Sequence, residues 1–124
     1  MSYIVRTCNL AGTPELKTAQ SGRIYTRAGV IVNDSQRDEH GTWSDVGAQR
    51  YSVTVFGDTA RELIATAKSS GNVRILFAGS ITTRQYQRAD GSQGTSQDVI
   101  ADEIGVSLTG QSISVERHSD DSKQ

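Results

Sequence analysis

The chain has little of what many functions require. It holds one cysteine, Cys8, in 124 residues, so no intrachain disulfide can form and folding does not depend on an oxidising compartment. Cys8 sits in a strand-like run and reads as a small buried side chain rather than a reactive thiol. Pro14 is the single proline, so the chain is punctuated by glycine. Aromatic residues are few: two Phe, four Tyr and one Trp. Neither sign of charge dominates, with 13 Lys and Arg against 14 Asp and Glu. That balance neither points to a nucleic acid nor excludes one, because phosphate binding needs local basic residues rather than a basic total. The N-terminal "MSYIVRTCNL" has no basic region followed by a long apolar stretch. Neither a signal peptide nor a membrane span is expected, and the cytoplasm is the expected location.

Signs of catalysis are equally sparse. His40 and His118 fall in polar segments, and no His, Cys and carboxylate cluster has metal-ligand spacing. Asp98 and Asp102 share a strand face and Glu103 takes the other, with no basic or histidine partner implied, so these carboxylates read as solvated or salt-bridged. "SGNV" and "ADGSQG" lack the lysine and the strand–loop–helix context of a phosphate cradle. No enzyme activity, metal or cofactor is expected.

What is present is alternation. "YIVRTCNLAG" reads as a first strand, with Ile4, Cys8 and Leu10 on one face if Arg6 is tolerated there. "ELKTAQ" is a short extension after the turn at Pro14. "RIYTRAGVIVN" places Ile24, Thr26, Ala28, Val30 and Val32 on one face and Tyr25, Arg27, Gly29 and Ile31 on the other. "DSQRDEHGTWSDVG" is polar and reads as a long loop or hairpin tip. "QRYSVTVF" sets Tyr51, Val53 and Val55 against Arg50, Ser52, Thr54 and Phe56. One amphipathic helix follows, with Ala60, Leu63, Ile64 and Ala67 as its stripe and Asp58 or Thr59 as its cap. "VRILFAGSITTRQYQ" is a long fourth strand with Gly79 at a bend or bulge. "TSQDVIADEI" is a fifth, and "QSISVER" a further one. Five strands with a helix between the third and fourth is the order of an all-β OB-fold barrel, whose loop between the last two strands borders the ligand face.

That loop is an unusual polar arm, "ITTRQYQRADGSQG", on which Arg84, Tyr86 and Arg88 alternate and so point the same way. Two guanidiniums flanking a ring suit an unpaired nucleic-acid strand, with cations for phosphates and a flat face for a base. A solvated hairpin charged against aggregation is the plainer reading. Phe56, at the end of an otherwise polar face, either stacks on a base or packs under the helix it precedes. Trp43 either staples its loop to the barrel or covers a base. Tyr25 and Arg27 repeat the pairing of ring and cation.

Four stretches in order, "NLAGTPELK", "VFGDTARELI", "FAGSITTRQYQRADGSQ" and "ADEIG", resemble the bacterial and phage single-stranded DNA-binding proteins. The resemblance runs from about Tyr3 to Leu108. The later "DEIGVSLTGQSISVER" resembles actinobacterial members, in which an added strand clamps neighbouring subunits. The resemblance implies an OB-fold domain over residues 1–117 with that C-terminal clamp strand, a short polar tail over 118–124, and a homotetramer, with a dimer as the alternative. Phe56 before Gly57 matches the family's stacking ring, Tyr86 its arm aromatic, and Trp43 an aromatic of the third strand. Gln36 and Arg50 stand where many members carry tryptophan; a guanidinium can also stack on a base.

The resemblance therefore implies a sequence-independent single-stranded DNA coat serving replication, recombination and repair. Arg27, Arg50, Arg84 and Arg88, with Lys17 and Arg74, would track phosphates. Phe56, Tyr86 and Trp43 would stack bases. The alternative is an OB-fold assembly module that has lost strong DNA binding. Members commonly end in an acidic tip with terminal hydrophobics that recruits other genome-maintenance proteins. Here Asp120 and Asp121 are followed by no such tip, which fits a phage protein or a second cellular copy and leaves that recruitment unexpected.

Overall fold

The structure is a computed structural model that describes residues 2–37 and 39–118, with side chains at 33–37, 43–46 and 48 left aside. Six strands and one helix follow in order: β1 (Ser2–Leu10), β2 (Leu16–Thr18), β3 (Ile24–Arg37), β4 (Trp43–Phe56), α1 (Asp58–Ser70), β5 (Arg74–Gln87) and β6 (Gln93–Val106). They form a sheet in the order β1-β5-β6-β4-β3-β2. Antiparallel pairing of Asn9 with Ile31 and Leu10 with Val30 joins β1 to β3. Five strands thereby close into a ring, with β2 as an outer edge. Neighbours pair antiparallel except β4 and β6, which run parallel from Tyr51↔Gln97 to Thr54↔Ile100. The helix lies between β4 and β5. This is the expected OB-fold architecture.

Alternation decides what lies inside. Thr26, Ala28, Val30 and Val32 of β3, and Tyr51, Val53 and Val55 of β4, are buried as their period-two pattern predicts. Phe77 and Ile75 of β5, Val99 of β6, and Cys8 and Leu10 of β1 complete the core. Ala60, Leu63 and Ala67 bring the apolar stripe of α1 onto it. Thr26 is the one fully buried polar side chain recorded there, and its hydroxyl donates to the Glu15 carbonyl at 2.6 Å. The bond offsets the cost of removing that hydroxyl from water.

Some expectations are corrected and others hold. Neither Asp58 nor Thr59 caps α1: Gly57 is the N-cap, at φ 74°, with no side-chain cap bond. The chain must reverse sharply out of β4, and glycine reaches that left-handed geometry without a Cβ penalty. Tyr51 lies in the core, as its shared face with Val53 and Val55 predicts, with its ring 6.1 Å from Phe77 and its hydroxyl donating to Gln49. Of the two readings of the polar stretch before β4, long loop or hairpin tip, the hairpin holds, since β3 and β4 stay paired out to Arg37↔Trp43. Residues 111–117 form no strand within the chain.

Gly79 marks the expected bulge, as the β5–β6 register shifts between Ala78 and Gly79. Ala78 pairs with Glu103 and Gly79 with Ala101, so Asp102 is the extra residue on β6. A Cβ on Gly79 would run into the Ile100 carbonyl and the Cα of Ala101. Backbone atoms cannot step aside as a side chain can. Gly79→Val is therefore expected to destabilise the fold by about 1–3 kcal/mol or more, read as a lower denaturation midpoint at unchanged slope.

Burial pushes the Cys8 thiol up to about 12. Its folded value lies above the ordinary one, so the native state holds the proton longer and stability falls as pH rises from about 9 toward 12. Cys8 is expected to resist alkylation at neutral pH while folded and to react once denatured, and Cys8→Ala is expected to lack that alkaline loss. Equal labelling of native and denatured protein would contradict this burial.

Candidate nucleic-acid interface

The outward face of the ring is read from the same register that fills the core. On β3 it carries Tyr25, Arg27, Gly29 and Ile31, paired with Phe56, Thr54, Ser52 and Arg50 of β4. Ser52 lies beside Asp98 and Thr54 beside Ile100 on β6. Asp98 in turn pairs with Thr82, Ser96 with Arg84, and Gly94 with Tyr86 on β5. Because strand neighbours in register point the same way, Phe56 and Tyr86 belong to one continuous face. They stand near its two ends, on the order of 25 Å apart at the usual strand rise.

At the Tyr86 end, Gly29, Arg50, Ser52, Arg84, Tyr86 and Arg88 help to line a groove of about 590 Å³ between the two long hairpins. Arg50 reaches across toward Gly29, and a Cβ there would lie 3.7 Å from its guanidinium. Tyr86 is 48 % exposed. Its ring lies over Gly94, so close that a Cβ on that glycine would meet the ring at 2.5 Å. Glycine thus clears the space that the ring occupies beside β6. Arg88 sits 5.6 Å from the Tyr86 ring centre and donates to the Gln93 carbonyl at 2.6 Å and to Ser92 Oγ at 3.4 Å. The turn beyond it is fixed by Asp90, whose carboxylate accepts from the Ser92 backbone and hydroxyl. Those bonds hold its pKa below the ordinary carboxylate value.

Phe56 is half-buried on the outer face, 5.9 Å from the Tyr25 ring, in a cleft that Thr59 of α1 also lines. The Arg23 guanidinium lies 4.1 Å over the Phe56 ring, a contact that sequence reasoning missed. The available signal was parity, since Arg23 precedes Tyr25 and Arg27 on the same face. Lys17 pairs with Tyr25, which places it at this end as well. Asp102 and Glu103 also line the cleft beside Phe56. Alternation predicts opposite faces for them, and the extra residue opposite Gly79 removes that separation. Asp102 also accepts a hydrogen bond from Tyr3, the chief cause of that phenol's raised pKa.

Between the two ends lies a contact of more consequence. Of the two readings of Asp98, solvated or salt-bridged, the second holds, and its basic partners are ones the spacing did not imply. Its carboxylate takes Arg27 Nη2 at 3.2 Å and Arg84 Nε at 2.8 Å, and Ser96 Oγ donates to it at 2.9 Å. Two of the expected phosphate-tracking arginines therefore meet on one acid.

The structure does not bring Arg74 to this groove. It begins β5 at the far end, paired with Asn9, and its carbonyl accepts from the Gln111 side chain and the Ser107 backbone. The side chain of Trp43, expected to cover a base, lies outside the described residues. Also outside them lie Gln36, the side chain at a family tryptophan position, and the acidic pair Asp120 and Asp121. His118 is held 2.9 Å from Glu62 of α1. Among the described residues, no group of three or more His, Cys, Asp or Glu is placed to hold a metal ion.

Known proteins share this architecture. A crystal structure of a small single-stranded DNA-binding protein from Streptomyces coelicolor superposes with a TM-score of 0.69 at 24% identity, covering 87% of this chain and 95% of that one. That likeness bears on the fold alone. In sequence, a single-stranded DNA-binding protein of Fusobacterium nucleatum is 32% identical over 107 residues, 84% of this chain and 65% of its own length. One from Corynebacterium glutamicum is 29% identical over 110 residues, 88% of this chain and 48% of its length. One from Bifidobacterium longum is 31% identical over 118 residues, 90% of this chain and 50% of its length. The chain thus spans between about half and two thirds of these relatives. The profile of the single-strand binding protein family matches residues 1–107. With the barrel, the paired hairpins and that match over most of its length, the chain belongs to the single-strand binding protein family.

Proposed function

We propose that this protein binds single-stranded DNA without regard to sequence and coats it during replication, recombination and repair. The observation that carries the reading is the shared face of Phe56 and Tyr86. Two rings on one outer surface, with arginines between them, offer stacking platforms and cations along one path. The relatives, each a single-stranded DNA-binding protein, support the same reading. Phe56 and Tyr86 stack bases; Arg27, Arg50, Arg84 and Arg88 meet phosphates; Lys17 extends the path at the Phe56 end. Trp43 is proposed as a third platform. No base-edge reader is needed, because every base has a face to stack. The reading involves no catalytic step and no cofactor, and it places the protein in the cytoplasm. No helix among the described residues is long and apolar enough to cross a membrane.

The working unit in this proposal is a domain of residues 1–117 assembled as a homotetramer, with 118–124 as a tail. The edge of β1 supports self-association. It pairs with β3 only at Asn9 and Leu10, which leaves one side of Ser2–Thr7 without a neighbouring strand among the described residues. Tyr3 and Val5 are 59 % and 55 % exposed there, with Leu76 on the adjoining strand also exposed. An open edge with apolar side chains is a surface proteins normally cover. Ile113 and Val115 are exposed as well, in the segment proposed to pair with a neighbouring subunit.

Tyr86→Ala is expected to weaken binding to a dT oligonucleotide by about 1–3 kcal/mol, the usual contribution of one stacked base. Arg88→Ala is expected to cost less, because Arg88 is already bonded to its own turn. Fluorescence anisotropy measures both, and equal or reversed effects would contradict a stacking role. Absence of any dT binding at low salt would favour an assembly module instead. Light scattering is expected to give four chains per particle, and Val5→Lys is expected to lower that mass by placing a charge at the open β1 edge. A native mass of one chain would overturn the assembly.

A further inference from the structure

The groove face carries an anion in the middle of its cations. Between the row of Phe56 and the row of Tyr86, Asp98 is the one carboxylate among the described residues of this face. It is not a loose surface acid: 23 % of its side chain is exposed, against 43 % for Arg27 and 63 % for Arg84. The two arginines approach from different strands, β3 and β5, and Ser96 adds a third donor. Arg27 uses a terminal nitrogen and Arg84 its Nε, so each planar guanidinium keeps further N–H donors. Oxygens held between two guanidiniums match what a phosphate diester offers in charge and geometry.

We propose that Asp98 occupies, in the free protein, the place between Arg27 and Arg84 that a backbone phosphate takes in the complex. Asp98 is thus a positioning residue, and it sets both the strength of the grip and its salt dependence. This rests on the single-stranded DNA reading above. In the free protein the carboxylate holds both guanidiniums on the groove face and neutralises part of their charge. An arriving phosphate must share those donors with it, at a separation where like charges repel. Two opposing effects follow from its removal: positioning is lost and repulsion is relieved. Asparagine separates them. Its amide keeps the size and one acceptor oxygen of the acid, so Asp98→Asn retains much of the positioning while deleting the negative charge.

The test is titration of native and Asp98→Asn protein with a dT oligonucleotide across a range of salt, with thermal unfolding alongside. Asp98→Asn is expected to bind about tenfold tighter at low salt, since one like charge removed at close range is of the order of one decade. Its plot of log K against log salt is expected to steepen by roughly 0.7 for each phosphate newly met. Arg27→Ala is expected to cost more in the Asp98→Asn background than in the native one, because the arginine is then free to meet phosphate alone. A purely structural role for Asp98 would move the melting temperature and leave slope and coupling alone. Asp98→Ser, with the same expected direction, carries the test should the asparagine variant fail to fold. Unchanged or weaker binding by a folded variant with an unchanged slope overturns the inference while native binding keeps the parent reading. A native chain that binds no dT at low salt overturns both.

Discussion

The period of two along a strand, carried round a closed ladder, is the constraint on which the rest depends. Each hydrogen-bonded pair forces its neighbours to point the same way. Once Val30, Val53 and Val99 face inward, the residues between them have no choice but to face out. Arg27, Ser52, Asp98 and Arg84 are thrown together by that rule, although Arg27 and Asp98 are 71 residues apart. The proposed binding face is therefore the reverse side of the core. A shift of register by one residue would exchange the two sets and destroy both at once.

Parts of this arrangement were legible in the chain because they are local. Alternation in "IYTRAGVIV" and "RYSVTVF" is enough to separate core from surface on β3 and β4, and the stripe of α1 follows from its spacing. Gly79 could be placed at an irregularity because a glycine inside an apolar strand has few other reasons to be there. The same reasoning left the stretch around 34–47 open between a long loop and a hairpin tip, because its polar residues show no alternation to mark a strand. Alternation placed Tyr51 on the core face with Val53 and Val55, but its meeting with Phe77 from another strand is a contact no spacing reveals. Which arginines would meet Asp98 was unreadable for the same reason, as was the guanidinium over Phe56.

Charge explains why a nearly neutral chain is compatible with a phosphate-binding surface. Cations are concentrated by topology on one face, while acids lie where the fold sends them. Asp102 and Glu103 sit together beside Phe56 only because the bulge breaks their alternation. Among the described residues, Asp98 is the one carboxylate between the rows of Phe56 and Tyr86. The family relationship and the geometry are thus complementary: one supports the proposed class of polymer, the other shows which side chains share a surface.

The two hairpins have one further consequence. Beyond Ile81 and Gly94, the β5–β6 ribbon is exposed on both sides, so its own cross-strand bonds are what hold it straight. A ladder two strands wide can twist or lean at its root without parting any of those bonds, which a broad sheet cannot do. In the proposed complex the gap between ribbons would then widen for a purine and narrow for a pyrimidine. Indifference to base identity would come from the compliance of the jaws as much as from the flatness of the rings.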